Sequence, residues 1–146
     1  MAHDRKRTAM GVAIALLLLG LPILPTLANT LSTPIQGRQR YAVSSSAQQD
    51  RCGQANTQPR VVQLEVKEAL TQISFVVSGN SGQPTLRVVD DRTGRETCVT
   101  ADNLSGSRVE LTAAWEGNAN NGRMYSVFVG DYNGEVHDFT LTIQQR

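Results

Sequence analysis

Apolar and polar residues alternate in short runs along most of this chain, with turn-forming residues between the runs. Period-two alternation occurs in Arg60–Val66 and again in residues 71–77, 84–89, 95–100, 107–115, 124–129 and 138–143. Such alternation is typical of strands with one buried face, and no segment has a convincing helical period. The inward positions are predicted to be Val62, Leu64, Val66, Ile73, Phe75, Val77, Leu86, Val88, Val109, Leu111, Ala113, Tyr125, Val127, Val129, Phe139, Leu141 and Ile143. About seven short strands of this kind favour an all-β antiparallel sandwich.

The last two runs flank an Asn133-Gly134 turn. Two alternating runs around an Asn-Gly pair are a strong signal for a β-hairpin. We therefore expect residues 124–143 to form an antiparallel hairpin with one buried face.

The N-terminal 28 residues resemble a secretory signal. Arg5-Lys6-Arg7 precedes an apolar stretch at residues 9–21, and Thr26-Leu27-Ala28 offers the small residues that signal peptidase recognises. We predict cleavage after Ala28 and an exported protein, periplasmic or extracellular. The alternative is an uncleaved membrane anchor, since residues 9–28 nearly reach the length of a membrane span; Gly20, Pro22 and Pro25 interrupt that stretch.

Residues 29–51 are rich in Ser, Gln, Thr and Arg and have few periodic apolar positions. This composition offers little apolar surface to offset the entropy of ordering the chain. We therefore predict a flexible spacer at 29–51 and a folded domain at 52–146.

Removal of residues 1–28 changes the charge balance of the chain. The full sequence has 14 basic and 13 acidic residues, and the remainder has 11 and 12. No run of Lys or Arg is left to follow a phosphate backbone, so nucleic-acid binding is disfavoured.

The two cysteines, Cys52 and Cys98, both lie in the predicted domain. In an exported chain an even pair indicates a disulfide. Two thiols without a CxxC motif or clustered histidines make a poor zinc site. A bridge between them closes a loop of about 46 residues, which the chain-entropy estimate values at about 4 kcal/mol.

Three segments taken together resemble the bacterial pre-peptidase C-terminal (PPC) domain family. They are residues 75–94, with two strands and an Asp-Asp-Arg-Thr-Gly turn; residues 98–103; and residues 125–143, which end in Phe-Thr-Leu-Thr-Ile. The resemblance covers about residues 52–143 and implies a jelly-roll-like sandwich. Family members are usually attached to secreted hydrolases, and some relatives bind polysaccharide, matrix protein or calcium. We expect no hydrolase domain to be attached to this segment, so the family's hydrolase-linked role is not expected to carry over directly.

Catalytic chemistry has few candidate residues. His137 is the one histidine after residue 28, and it lies next to Asp138, but no Gly-x-Ser-x-Gly motif accompanies it. Asp90 and Asp91 are adjacent in a predicted turn, where side chains normally point apart and accept backbone N–H bonds. We therefore expect no enzyme activity; a small hydrolase that uses His137 is the alternative.

Loop oxygens and exposed rings are the remaining candidates for ligand binding. A weak calcium site is predicted from loop carboxylates and amides, the ligands that this ion prefers: Asp90, Asp91, Asp102, Asn103 and Asp131. No other cofactor is indicated. Trp115, Tyr132 and Phe128 lie at loop ends or out of phase with the core, so they are candidate platforms for a sugar. For Trp115, we favour a position that caps the core over a sugar platform.

These observations favour a non-catalytic, exported binding or scaffolding module whose ligand is a polysaccharide or an envelope or secreted protein. A second hypothesis is an accessory domain or subunit of a separately encoded secreted hydrolase.

Overall fold

Two β-sheets packed face to face make up the protein in a computed structural model, which describes residues 29–54, 58–102 and 104–146. The predicted signal segment lies outside these residues. The nine strands are β1 (Asn29–Ser32), β2 (Arg38–Ser44), β3 (Arg60–Val66), β4 (Leu70–Gly79), β5 (Pro84–Asp90), β6 (Glu96–Thr100), β7 (Arg108–Glu116), β8 (Arg123–Asp131) and β9 (Asp138–Gln145). No described residue belongs to a helix long and apolar enough to cross a bilayer.

The strand order is that of a jelly roll. Sheet A has the order β1-β3-β8-β5-β6 and sheet B the order β2-β9-β4-β7. Without β1, these are two four-stranded sheets, and consecutive strands lie in different sheets except for β5 and β6, which pair with each other in sheet A, as in a double Greek key. All pairings within the two sheets are antiparallel except that of β1 with β3. The all-β sandwich prediction is confirmed.

The predicted closing hairpin is wrong. β8 pairs with β3 and β5 in sheet A, whereas β9 pairs with β2 and β4 in sheet B. The Asn133-Gly134 turn therefore carries the chain from one sheet to the other. Local alternation predicts the strands correctly, but a strand in a Greek key takes its partners from distant parts of the chain.

The core lies between the sheets and contains the predicted inward positions. Val62, Leu64, Phe75, Leu141 and Ile143 are among the side chains with no exposed surface, and Leu111 and Ala113 on the edge strand β7 pack half-buried against them. Fully burying one aliphatic or aromatic side chain of this size is worth about 1.5–3 kcal/mol, so this layer provides the main driving force for folding.

The prediction of a flexible spacer at 29–51 is wrong for the described part of the chain. β1 adds to sheet A beside β3, and β2 pairs with β9 over seven residues. Leu31, Ile35, Tyr41 and Val43 pack against the core from this segment. Its few apolar residues are enough to order this segment, because the neighbouring strands already provide an apolar surface and a hydrogen-bonding edge.

Residues 45–54, here called the strap, lie over the outer face of sheet A. Arg87 points to that outer face, yet its side chain has no exposed surface. It donates to the Asp50 carboxylate (2.5 Å), to the carbonyl oxygens of Arg51 (2.9 Å) and Gln54 (2.8 Å), and to the Glu96 carboxylate. Asp50 also accepts from Thr85 at 2.8 Å. These contacts bury a charged cluster between the strap and β5.

The predicted disulfide is present. Cys52 of the strap is bonded to Cys98 of β6, the neighbour of Arg87 across the β5–β6 ladder. The bridge therefore ties the strap to the edge of sheet A beside the buried charges. A disulfide is consistent with folding in an oxidising compartment.

Candidate functional site

The outer face of sheet B is open to solvent, whereas the strap covers part of the outer face of sheet A. A depression of about 480 Å³ crosses all four strands of sheet B. We call it the arginine face, and its lining residues are Arg38, Arg40, Ser74, Val76, Ser78, Arg108, Glu110, Thr140, Thr142, Gln144 and Arg146.

The strand register fixes where each polar group on this face lies. One row across the sheet runs Arg38, Gln144, Ser74 and Thr112; the next runs Arg40, Thr142, Val76 and Glu110; a third runs Ala42, Thr140, Ser78 and Arg108. Hydroxyl and amide groups thus occupy the two central strands, and arginines occupy the two edge strands. Neighbouring strands are about 4.8 Å apart, so about 14 Å separates the two edges.

The depression continues along the strands as a groove. A second depression of about 620 Å³ shares Ser78 and Thr140 with the first and reaches Asn80 and Asp138 at the other end of the sheet. The six-residue separation between Gln144 and Asp138 on β9 corresponds to about 20 Å of extended strand. The face therefore has the dimensions of a groove for an extended chain rather than those of a closed pocket.

Charge on the arginine face differs in sign from charge on the rest of the domain. Its lining contains four arginines and one glutamate, for a formal charge of +3. Residues 29–146 contain 11 basic and 12 acidic residues, so the other residues have 7 and 11, a formal charge of −4. A concentration of one sign on an open surface raises the local concentration of ions of the opposite sign.

Within the face, Glu110 interacts with two of the four arginines. Its carboxylate lies 3.2 Å from the guanidinium of Arg108 and 3.8 Å from that of Arg146. Arg38 donates from Nε to the amide oxygen of Gln144 at 3.1 Å. Among the described residues, Arg38 and Arg40 form no ion pair, and both are exposed.

The three predicted ring platforms lie apart. Trp115 is buried at 7% exposure and packs edge-on against Phe75 and Tyr125, with ring centroids 5.6 and 5.2 Å away. It caps the core, the position favoured for it over a sugar platform. Tyr132 follows β8 at the end opposite Tyr125, about 23 Å along the strand. Phe128 pairs with Arg60 and Arg87 on the outer face of sheet A.

Tyr132 and Phe128 are both half-buried. The guanidinium of Arg51 in the strap lies 4.6 Å from the centroid of the Tyr132 ring, a cation–π contact. None of the three rings lines the arginine face.

The predicted calcium ligands are divided between the two ends of the sandwich. Asp90 lies at the end of β5 where it pairs with Tyr125, and Asp131 lies at the opposite end of the ladder, paired with Pro84. Asn103 lies outside the described residues. The described part of the chain contains no cluster of three or more acidic, His or Cys side chains suited to a metal.

The carboxylates of Asp90, Asp91 and Asp102 already accept hydrogen bonds from other groups of the protein. Burial by itself would raise the pKa of Asp90, but hydrogen bonds from Arg123 and Thr93 outweigh it and lower the pKa to about 2. Asp91 accepts from Gln63 at 3.0 Å. Hydrogen bonds from Ser105 lower the pKa of Asp102. These carboxylates therefore act as turn caps and ion-pair partners.

His137 has Asp131 as its partner, not the adjacent Asp138. His137 Nδ1 lies 3.2 Å from Oδ2 of Asp131, which is fully buried and also accepts the backbone N–H of Gln83. Asp138 instead accepts from the Ser44 hydroxyl at 2.5 Å. Nε2 of His137 lies 3.7 Å from the Glu135 carboxylate, and the Ser45 hydroxyl accepts the backbone N–H of His137 at 2.9 Å.

Comparisons with known proteins add little. No known family model matches the chain, and no curated protein matches it. A solved structure of the CBM22-1–GH10 modules of Clostridium thermocellum endo-1,4-β-D-xylanase 10B, complexed with xylohexaose, is similar with 16% identity and a TM-score of 0.33, over 73% of this chain and 25% of that one. The chain thus spans about a quarter of that structure's length.

A virus-like particle of the extra small virus of the prawn Macrobrachium rosenbergii is similar with 7% identity and a TM-score of 0.25, over 97% of this chain and 92% of that one. At these TM-scores, neither likeness bears on what this chain binds.

The arginine face itself was missed at the sequence level. Its central strands show the signal, because Thr140, Thr142 and Gln144 alternate with the apolar positions of β9. Arg38 and Arg40 alternate in the same way with Gln39 and Tyr41, but they lie in the segment interpreted as a spacer. Without the pairing of β2 with β9, these two arginines could not be placed beside the threonines.

Proposed function

We propose that this protein is a non-catalytic, exported binding module that holds an extended polysaccharide in the groove on sheet B. The observation that carries the proposal is the groove itself, an open polar surface that crosses four strands and continues over two adjoining depressions. Its polar floor is held by strands rather than loops, which favours binding without reorganisation.

The chemistry of the groove suits sugar hydroxyls. Ser78, Thr140 and Thr142 both donate and accept hydrogen bonds, and Gln144 adds an amide. Protein–protein interfaces instead have a core of aromatic and aliphatic side chains that becomes fully buried. The lining includes Val43, Val76 and Phe139 as its larger apolar residues, and Phe139 is 3% exposed. We therefore favour a polysaccharide over a protein as the ligand.

The sequence resemblance to PPC domains agrees with this role, because relatives in that family include binding modules of secreted proteins. Export is proposed from the signal-like residues 1–28 and is supported by the Cys52–Cys98 disulfide. A role as accessory subunit of a secreted hydrolase is compatible with the same binding face.

A steric plug would test the groove. Ser78 lines both depressions and is half-buried on β4. Ser78→Tyr adds a ring at their junction without changing charge, and tyrosine is favourable in strands. Thr100→Tyr is the matched control, since Thr100 is exposed on β6 of the other sheet.

The assay is affinity electrophoresis of the purified protein in gels that contain single polysaccharides, neutral and acidic. We expect retardation of the wild-type protein and of Thr100→Tyr, and loss of retardation for Ser78→Tyr. Free migration of the wild-type protein through every gel would contradict the proposed function.

A further inference from the structure

The arginine face lacks the ring platforms on which neutral sugars stack. None of its lining residues is aromatic, and the adjoining depression has only the buried Phe139. Hydrogen bonds from exposed hydroxyls contribute little net affinity, because water competes for the same groups. A polysaccharide that binds here therefore needs another source of affinity, and charge is the one available.

The positive charges are placed at both edges of the groove. Arg38 and Arg40 lie two residues apart on β2, about 7 Å along the strand, and Arg108 lies on β7, about 14 Å across the sheet. Acidic groups that recur along one polymer can reach both edges at once. Guanidinium groups also bind carboxylates and sulfates through paired hydrogen bonds, which an ammonium cannot match.

Glu110 competes for the same arginines. Its carboxylate lies near the guanidinium groups of Arg108 and Arg146, and the Ser74 hydroxyl also donates to it at 3.4 Å. An acidic group of a ligand that binds Arg108 must replace this internal carboxylate. Glu110 therefore lowers affinity for anions on the β7 side and leaves the β2 side as the stronger contact.

We propose that the ligand of the arginine face is an acidic polysaccharide, with Arg38 and Arg40 as its main contacts and Glu110 as an internal competitor. This inference rests on the proposed function and narrows its substrate class. Single-stranded nucleic acid is a poorer fit because its bases need aromatic side chains to stack on. An acidic protein is a poorer fit because the face lacks apolar anchors.

The test compares two forms of one polymer. Polygalacturonate and its fully methyl-esterified form share a backbone, and the second form has no charge. We expect the full-length exported protein to bind polygalacturonate at least tenfold more tightly in titration calorimetry at low salt. Because exposed charges are screened over about 3 Å at 1 M salt, binding should weaken strongly in 1 M NaCl.

Two double variants locate the contact. Arg38→Gln/Arg40→Gln should weaken polygalacturonate binding about tenfold, since two exposed charge contacts are lost. Arg92→Gln/Arg95→Gln removes the same charge from the exposed β5–β6 turn of sheet A and should leave binding within about twofold. Glu110→Gln should tighten binding about threefold. All five side chains are exposed, so each variant should keep the wild-type melting temperature.

Each outcome has a distinct meaning. Equal binding of polygalacturonate and its methyl-esterified form would overturn the proposed specificity for acidic polysaccharides. The proposed function would still stand. Equal weakening by both double variants, or binding of oligo-dT as tight as that of polygalacturonate, would show a general charge effect and also overturn it. Absence of binding to polygalacturonate, together with absence of binding to neutral polysaccharides, would overturn both proposals.

Discussion

The buried charge cluster under the strap is expected to be a main determinant of stability. Arg87 has no exposed surface, and Asp50, its buried carboxylate partner, is 2% exposed. Asp50→Ala removes the acceptor of an Arg87 Nη2 hydrogen bond and of the Thr85 hydroxyl. The guanidinium then stays buried with the partly exposed Glu96 as its remaining carboxylate.

The size of the effect follows from this arrangement. Removal of one partner from a buried ion pair costs about 3–5 kcal/mol, because the other charge is left without compensation. Glu96 and two backbone carbonyls still hold Arg87, so we expect the lower end of this range, about 3 kcal/mol. Arg87→Met should cost a similar amount, since it leaves the Asp50 carboxylate buried with Thr85 alone. The double variant, which removes both charges, should cost clearly less than the two single variants together.

Urea unfolding of the disulfide-bonded protein measures these differences. Trp115 is the single tryptophan and is buried between Phe75 and Tyr125, so its fluorescence reports on the core. We expect the double-mutant cycle to show a coupling free energy of about 2 kcal/mol at unchanged denaturant slope. A cycle that is additive within about 0.5 kcal/mol would refute the argument that the two charges depend on each other.

Three further predictions concern the core, the disulfide and acid stability. Trp115→Ala should cost about 3–5 kcal/mol by urea unfolding and leave polygalacturonate binding of the folded protein unchanged. Cys52→Ala/Cys98→Ala should lower the free energy of unfolding by about 4 kcal/mol; an intact bridge in the wild-type protein is checked by a mass increase of about 2 Da on reduction. The pKa of Asp90 is lowered to about 2, so its contribution is present above the unfolded pKa and is lost as pH falls from about 4 to 2. Because Arg123 is partly exposed, we expect on the order of 1 kcal/mol, measured as a shallower decline in stability over this pH range for Asp90→Asn.

The strands of the core could be predicted because their evidence is local. In β9, and in β3 from Val62 onward, each apolar side chain is followed by a polar one, and this alternation does not depend on which strand is the partner. The partners could not be predicted, because a sheet strand in a jelly roll pairs with residues far away in sequence. β2 shows this most clearly: its partner β9 begins at Asp138, 94 residues after Ser44.

The composition of residues 29–51 gives a wrong prediction because neighbouring strands stabilise this segment. Residues 29–51 are too polar to form a core alone, and this would make an isolated segment disordered. In the fold, Tyr41 and Val43 need to cover only one edge of an existing core. The backbone N–H and C=O groups of β2 pair with those of β9. The entropy of ordering this segment is offset by surfaces that its own sequence does not contain.

Arg87 and Arg40 show why the candidate site needed the structure. Each of these arginines lies on a strand between apolar or half-buried residues. Nothing in the flanking residues indicates which of the two is buried. Arg87 is fully buried because the strap crosses sheet A and brings Asp50 to its guanidinium. Arg40 is exposed because no segment among the described residues crosses sheet B, where the groove lies. One outer face is thus filled by the chain itself, and the other offers the same kind of charge to a ligand from outside.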